Sequence, residues 1–369
     1  GMRTLPAKSL EWMEAESSIK KQILVSTLKK VTYEMLCEKL DMSWYRKDGK
    51  DLKRYRSIKN IAEFEDEVIR PLALKAKEAT ERQEELILSL DTETTGLNIC
   101  NLAADNPGKD HCVAIPLSWE DDQAVVVFTD MFHFGNVPNE YAWDRLRPFL
   151  EKGEEVSVTL RNTRKKEGLI DRLTIFSAEQ REAPDEFEIE EAETITFNRR
   201  YIDLTGHNVI FDGKVGMDNG VYPEWNDDTM QMAFDLCPTL IKGNNKLKML
   251  TRKLFGHETP ELSDVLGKGD EDKYKYLSDE EVAKVYGCAD ADYTRKLRIR
   301  LKEIMDNAGM DAFRFRNGEK PVSLFTQYRR QDVPMLNILY RSEYNGMRMV
   351  REKVLALAQA SEADLTTLK

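Results

Sequence analysis

The stretch Glu85 to Leu97, ELILSLDTETTGL, limits what this chain can become more than any other. Leu86-Ile87-Leu88-Ser89-Leu90 is a short apolar run, the pattern of a buried strand. It delivers Asp91 and Glu93 at its end, two residues apart, so both side chains are aimed to one side. Thr94, Thr95 and Gly96 then turn the chain. Two carboxylates this close repel unless a cation lies between them. A strand end with two solvated acids fits the same pattern, so the stretch gains meaning only from the rest of the chain.

The chain has 369 residues, enough for two or more domains. A hydrophobic content of 41% with 33% charged residues describes a soluble chain that buries a core. No apolar run approaches the roughly 18 residues of a membrane span, and no signal-peptide core opens the sequence. No membrane partner is expected. Gly1-Met2 reads as the scar of a removed tag. The cysteines Cys37, Cys100, Cys112, Cys237 and Cys288 form no CxxC pair, which implies reduced thiols and a cytoplasmic location. Cys100, His111 and Cys112 offer zinc ligands, but at a spacing that fits no common site.

A net charge of −11 weighs against a nucleic-acid partner. The charge is uneven, however. Basic runs lie at Arg46 to Lys59 and Lys242 to Lys253, away from acidic clusters at Asp185 to Glu193 and Asp270 to Asp272. Solvated helix faces look the same. A metal site also needs local negative charge, so an acidic total does not exclude phosphate chemistry.

Residues 1 to 83 read as a mostly helical N-terminal region, with Leu24, Leu28, Val31 and Met35, then Ile61, Phe64 and Ile69, at helical spacing. Beyond Glu85 the period changes. Cys112 to Leu117 and Ala124 to Phe128 are β-rich runs split by a polar turn, a hairpin signal. Tyr141 to Leu150 reads as a helix whose end is blurred by Pro148. From about 153 to 200, Val156 to Leu160, Leu173 to Phe176 and Thr194 to Phe197 alternate in the strand manner, so this is a β-rich insertion.

Two further constellations follow. In Tyr201 to Gly213, YIDLTGHNVIFDG, a strand ends at Gly206, and Asn208 is expected to cap a helix. Asp212 falls one turn in, where a carboxylate is also a simple favourable charge placement. In Leu277 to Met305, Ser278 and Glu281 match a capping box. Val282, Val285, Ala289, Tyr293, Leu297 and Leu301 carry an apolar stripe. Tyr286 and Asp290 are four apart, so they share a helix face, as a buried hydrogen-bonded pair would.

Asp-x-Glu at a strand end, Asn-x-x-x-Asp at a helix start and Tyr-x-x-x-Asp on a late helix, in this order, resemble the DEDD superfamily of 3′–5′ exonucleases. The subclass is the one with Tyr in the third motif, and the match is nearest to the proofreading domain of A-family, DNA polymerase I type, polymerases. Asp228-Thr229-Met230 and Asn245 to Gly256 resemble its linking segments. The resemblance covers about 84 to 306, apart from the insertion at 153 to 200. It implies an α/β, ribonuclease-H-like exonuclease fold, a mixed β-sheet flanked by helices, with a helical C-terminal tail over 307 to 369. Pro334 to Val350 resembles the start of the polymerase region. The chain stops at Lys369, before any polymerase motif, so the expected partner is the rest of a polymerase chain, and polymerisation is not expected.

What the resemblance implies is hydrolysis of the 3′-terminal phosphodiester of single-stranded DNA by a pair of divalent ions, Mg²⁺ or Mn²⁺. By carry-over, Asp91 bridges the ions, Glu93 and Asp290 complete one, Asp212 holds the other through water, and Tyr286 orients the attacking water. Thr94, Leu97 and Asn208 fall at positions that meet the 3′ end. Phe211 offers a ring to a base or to the core. A ribonuclease D-like RNA exonuclease is the near variant. A catalytically silent nucleic-acid-binding domain is the alternative from another class, disfavoured by the presence of all four carboxylates and Tyr286.

Overall fold

The computed structural model describes residues 46–47, 50–99, 109–165, 187–236, 245–257, 271–307 and 322–346, with scattered positions between 350 and 361. The helical repeat from Leu24 to Met35, the strand expected at Leu173 to Phe176, and Cys37, Cys100 and Cys237 lie outside these residues. So do Lys242 and Asp270.

The region expected to be mostly helical contributes a strand, Arg54–Ile58 (β1). Tyr55 and Ile58 are buried, three apart and so on opposite faces, each in the core of its own side of the sheet, while Arg54 and Arg56 are exposed. The flanking basic residues masked that short strand. Ile61–Phe64 (α1), a π turn at Glu65–Ile69 and Arg70–Arg82 (α2) then run on as one helical stretch. Gln83 ends it in the left-handed conformation, φ 56°.

Leu86–Leu90 (β2) forms where the apolar run predicts it, followed by the two-residue strand Glu93–Thr94 (β3). Cys112–Glu120 (β4) and Gln123–Phe128 (β5) make the expected antiparallel hairpin. Asn139–Leu150 (α3) keeps Pro148 inside its last turn. Glu155–Lys165 (β6) and Phe187–Asn198 (β7) pair with each other as a separate two-stranded sheet, the base of the insertion. Ile202–Gly206 (β8), Val209–Asp218 (α4), Asp227–Asp228 (β9), Thr229–Leu236 (α5) and Leu247–Phe255 (α6) follow. The long helix Glu280–Asn307 (α7) and Leu324–Asn345 (α8) complete the described chain.

The result is a mixed α/β structure around a seven-stranded sheet of order β9-β8-β2-β4-β5-β1, with β3 beside β4. β8 runs parallel to β2 and β9, β1 runs parallel to β5, and β4 is antiparallel to β2 and β5. Both faces are apolar, as a sheet covered on both sides requires. On β5, Val125 and Val127 join the core with α2, α3 and α4, while Ala124, Val126 and Phe128 join the core with α7. No helix among the described residues is long and apolar enough to cross a membrane.

Two buried charge clusters fix the layers. Glu65, turned inward at the π turn, accepts from both Nε and Nη2 of Arg145 at 2.6 and 2.7 Å and from the Tyr141 hydroxyl at 2.6 Å. Arg145 also donates to the Thr159 carbonyl at 2.9 Å, which ties the insertion's base to α3. At the other end, Arg298 of α7 and Arg329 of α8 converge on Asp203 and Asp227, the ends of β8 and β9.

Candidate metal centre

The end of β2 and the middle of α7 meet at the site. The Asp91 amide donates to the Pro116 carbonyl at 3.1 Å, so the chain leaves β2 still tied to β4. Glu93 then pairs with Ala114 in β3. On the facing helix, Gly287 lets α7 lie close, since a Cβ there would stand 3.2 Å from both Pro116 and Val126. This closeness brings Asp290, one turn onward, to the two acids. One carboxylate oxygen from each of Asp91, Glu93 and Asp290 lies within 4.8 Å of the others.

Asp212 reaches the same region from the first turn of α4 but stands outside that trio. Its Oδ1 accepts the Thr92 hydroxyl at 2.6 Å. Its charge is still felt there: burial first, then Asp212, Glu93 and Asp290, hold the Asp91 carboxyl well above its ordinary range. Burial and Asp290 push Glu93 up to about 8, against the pull of Lys248. Burial pushes Asp212 up to about 7, with the Thr92 hydrogen bond opposing and the Asp228 charge adding to it. Acids crowded out of water resist ionisation unless a cation joins them. The donor set is carboxylate oxygen throughout, which fits hard divalent ions such as Mg²⁺ or Mn²⁺.

Tyr286 lies on the same face of α7 as Asp290. Burial first, then the charges of Asp290, Glu93 and Asp91, raise its phenol well above the usual value. The hydroxyl therefore stays protonated and acts as a donor, not as a base. Its ring packs 5.9 Å from that of Tyr274, whose hydroxyl donates to the Ala283 carbonyl at 2.7 Å.

The candidate contacts around this centre separate into types. Leu97 is 85% exposed at the turn after β3. Thr94 donates its hydroxyl to the Gly96 carbonyl at 2.7 Å. Phe211 is half-buried and packs on the core of α4, so its ring is committed in part to packing. Asn208 caps α4 with a left-handed backbone, φ 69°, and its side chain makes no capping bond. The cap comes instead from Asp228, whose carboxylate accepts from the amides of Asn208 at 3.0 Å, Val209 at 3.1 Å and Met230 at 2.8 Å. Likewise, α7 is capped by Asp279, which accepts from the Glu281 amide at 3.0 Å, where the sequence pointed to Ser278. In both places a carboxylate outcompetes a neutral oxygen for helix N–H groups. Of the imagined zinc ligands, His111 pairs with Asp130 at 2.6 Å and Cys112 is buried in β4.

Sequence reading missed three contributors. Thr92 sits between the two acids of the first motif and holds Asp212. Asp228 was visible as part of a linking segment, without its capping role. Lys248 was visible within a basic run, without its neighbours: its Nζ lies 3.7 Å from Asp290 Oδ1 and 3.9 Å from the centre of the Tyr286 ring.

No family model matches the chain, and a search of curated proteins returns no match. Among solved structures, Brucella melitensis NrnC with bound Mg²⁺ is similar over 79% of this chain and 92% of its own, at 13% identity and a TM-score of 0.42. The same protein bound to pGG is similar over 79% and 93%, at 13% identity and a TM-score of 0.43. An EXD2 exonuclease domain soaked in Mn and Mg covers 71% of this chain and 99% of its own, at 16% identity and a TM-score of 0.22. Overlaps this loose leave the chemistry to this chain's own residues.

Proposed function

We propose that this chain is a metal-dependent 3′–5′ exonuclease acting on single-stranded nucleic acid, with DNA as the substrate and proofreading within a polymerase as the setting. The observation that carries the reading is the meeting of Asp91, Glu93 and Asp290 within 4.8 Å, from a strand end and a facing helix. Asp91, Glu93 and Asp290 would hold one ion, and Asp91 with Asp212 a second. A pair of Mg²⁺ or Mn²⁺ ions supplies an activated water and relieves charge on the phosphate.

The chain's own residues do the rest. The protonated Tyr286 hydroxyl donates a hydrogen bond that orients the attacking water. Thr92 donates its hydroxyl to the Asp212 carboxylate. Leu97, exposed at the turn after β3, offers an apolar side chain to the terminal base. A mismatched 3′ end frays more readily, so a site that takes only single strands meets wrong ends more often. DNA is favoured over RNA by the resemblance of Pro334 to Val350 to the opening of a polymerase region.

The test is degradation of 5′-labelled single-stranded DNA and RNA oligonucleotides of one sequence, with Mg²⁺, Mn²⁺ or EDTA. Stepwise shortening from the 3′ end of DNA, abolished by EDTA, is expected. Asp212→Ala should lower turnover on the order of 10³-fold, the loss of several kcal/mol of metal-borne stabilisation, with the fold intact by circular dichroism. Unchanged turnover in that variant refutes the metal role. Preference for RNA removes the polymerase setting and keeps the nuclease.

A further inference from the structure

Lys248 is the second residue of α6, and its side chain is only 11% exposed. Leu250 and Thr251, both buried, hold the same turn against the protein, so the lysine projects from a fixed base. Its ammonium lies 3.7 Å from Asp290 Oδ1, on a carboxylate that also faces Asp91 and Glu93. On its other side is the Tyr286 ring, with the centroid 3.9 Å away. A lysine stem is flexible and its charge is compact, so the ammonium can leave such a place without unfolding anything. An ammonium 3.7 Å from a carboxylate, at ion-pair range, and a divalent ion at that carboxylate repel each other, and both draw on the same negative charge.

We propose that Lys248 is a positioning residue: it is the resident counter-ion of the acid trio in the metal-free protein, and a divalent ion takes over its place at Asp290. This rests on the nuclease reading above only in requiring that the trio binds a divalent ion. The lysine then keeps the carboxylates gathered before metal arrives and sets how much metal the site needs. It also ties α6 to α7, since the ion pair and the ring contact both bridge those helices.

The experiment is calorimetric titration of Mn²⁺ into the metal-free full chain, beside thermal unfolding in EDTA and in saturating Mn²⁺. Lys248→Met keeps the stem and removes the charge. It is expected to bind Mn²⁺ at least threefold more tightly than the wild type, and to unfold at lower temperature in EDTA with the difference shrinking in Mn²⁺. Lys248→Arg keeps the charge and is expected to bind Mn²⁺ as the wild type does. Equal or weaker Mn²⁺ binding by Lys248→Met overturns the exchange. So does an Arg variant that binds as tightly as the Met variant. Should Lys248→Met not fold in EDTA but fold in Mn²⁺, the counter-ion role stands. A wild-type chain that binds no Mn²⁺ at all overturns the nuclease reading and takes this inference with it.

Discussion

At the scale of single residues the proposed chemistry rests on Tyr286 and the acids beside it. The phenol is raised out of reach of neutral pH, so its contribution is one hydrogen bond. Tyr286→Phe should lower kcat about tenfold, the worth of one such bond, with Mn²⁺ affinity unchanged. Parallel loss of metal binding and turnover would mean the ring, not the hydroxyl, matters. The acids predict a pH dependence of stability. Glu93 moves from 4.5 to about 8 and Asp212 from 3.8 to about 7 on folding. The folded, metal-free chain thus holds protons that the unfolded chain releases, so the contribution of these two acids to stability is full below about pH 4 and is lost as pH rises toward about 8. Saturating Mn²⁺ replaces those protons and should flatten the profile. Thermal unfolding at pH 5 to 8, in EDTA and in Mn²⁺, checks this, and a flat EDTA profile counts against the buried acid cluster. Spacing in the sequence pairs Asp91 with Glu93 and Tyr286 with Asp290, by the strand period of two and the helix step of four, while the expectation that the two pairs meet came from the family resemblance and not from any spacing. Thr92 and Lys248 were not legible, because their partners lie across the fold and no local spacing encodes the contact.

Elements owe their ends to residues distant in sequence. Asp228, at the end of β9, accepts from amides at the starts of both α4 and α5, so one carboxylate sets two helix N-termini. It also receives its own amide's partner from α8, where the Tyr328 hydroxyl accepts at 2.7 Å. Asp228→Ala leaves the buried Val209 amide and the less buried Asn208 and Met230 amides without their acceptor and should cost about 3 kcal/mol in urea unfolding. Because Asp212 rides on the first turn of α4, turnover should fall as well, while Asp228→Asn, which keeps one acceptor oxygen, should retain more of both. A destabilised Ala variant with wild-type turnover would separate the cap from the site. The hairpin of β4 and β5 and the strand β2 were legible because their apolar residues run on with no charge among them, and helix α7 because its apolar stripe recurs at helical spacing. β1 was not: only Tyr55 and Ile58 of its five residues are apolar, they lie among basic neighbours, and its strand partner β5 lies about seventy positions on. Asn208 is the N-cap of α4 as expected, but the capping oxygen there, and the cap of α7 expected at Ser278, were misread for one reason. A local rule chose the nearest neutral oxygen, and the fold supplied a carboxylate.

The whole molecule depends on how α8 is held to the sheet, since the sheet edge beside β8 carries Gly206, Asn208 and the start of α4. Arg329 of α8 donates to Asp203 at 2.7 Å and to Asp227 at 2.6 Å, and Arg298 of α7 shares both acids. The Asp227 carboxyl is still raised to about 6, by burial first, with Arg329 pulling the other way. Buried Asp203, Asp227 and Arg298 are balanced by part-buried Arg329, with exposed Glu85 bonded to Arg298 at the rim, and that pairing is what makes burial of the two aspartates tolerable. Removing one member leaves an uncompensated charge. Arg329→Met should therefore cost about 3–5 kcal/mol, far more than loss of a surface pair such as Arg82 with Glu78. The cost should be local. Tyr340 packs on Gly213 of α4, and Asn337 bonds to the Trp225 backbone, so α8 has further holds on the sheet edge. Hydrogen exchange should show faster opening of α8, β9 and the start of α4 in Arg329→Met, with β4, β5 and α7 near the Tyr286 end unchanged. Asp227→Asn in the same background should recover part of the loss by removing the stranded charge. Uniform loss of protection over the sheet would instead make α8 an integral part of one cooperative unit, and the rescue would then be absent.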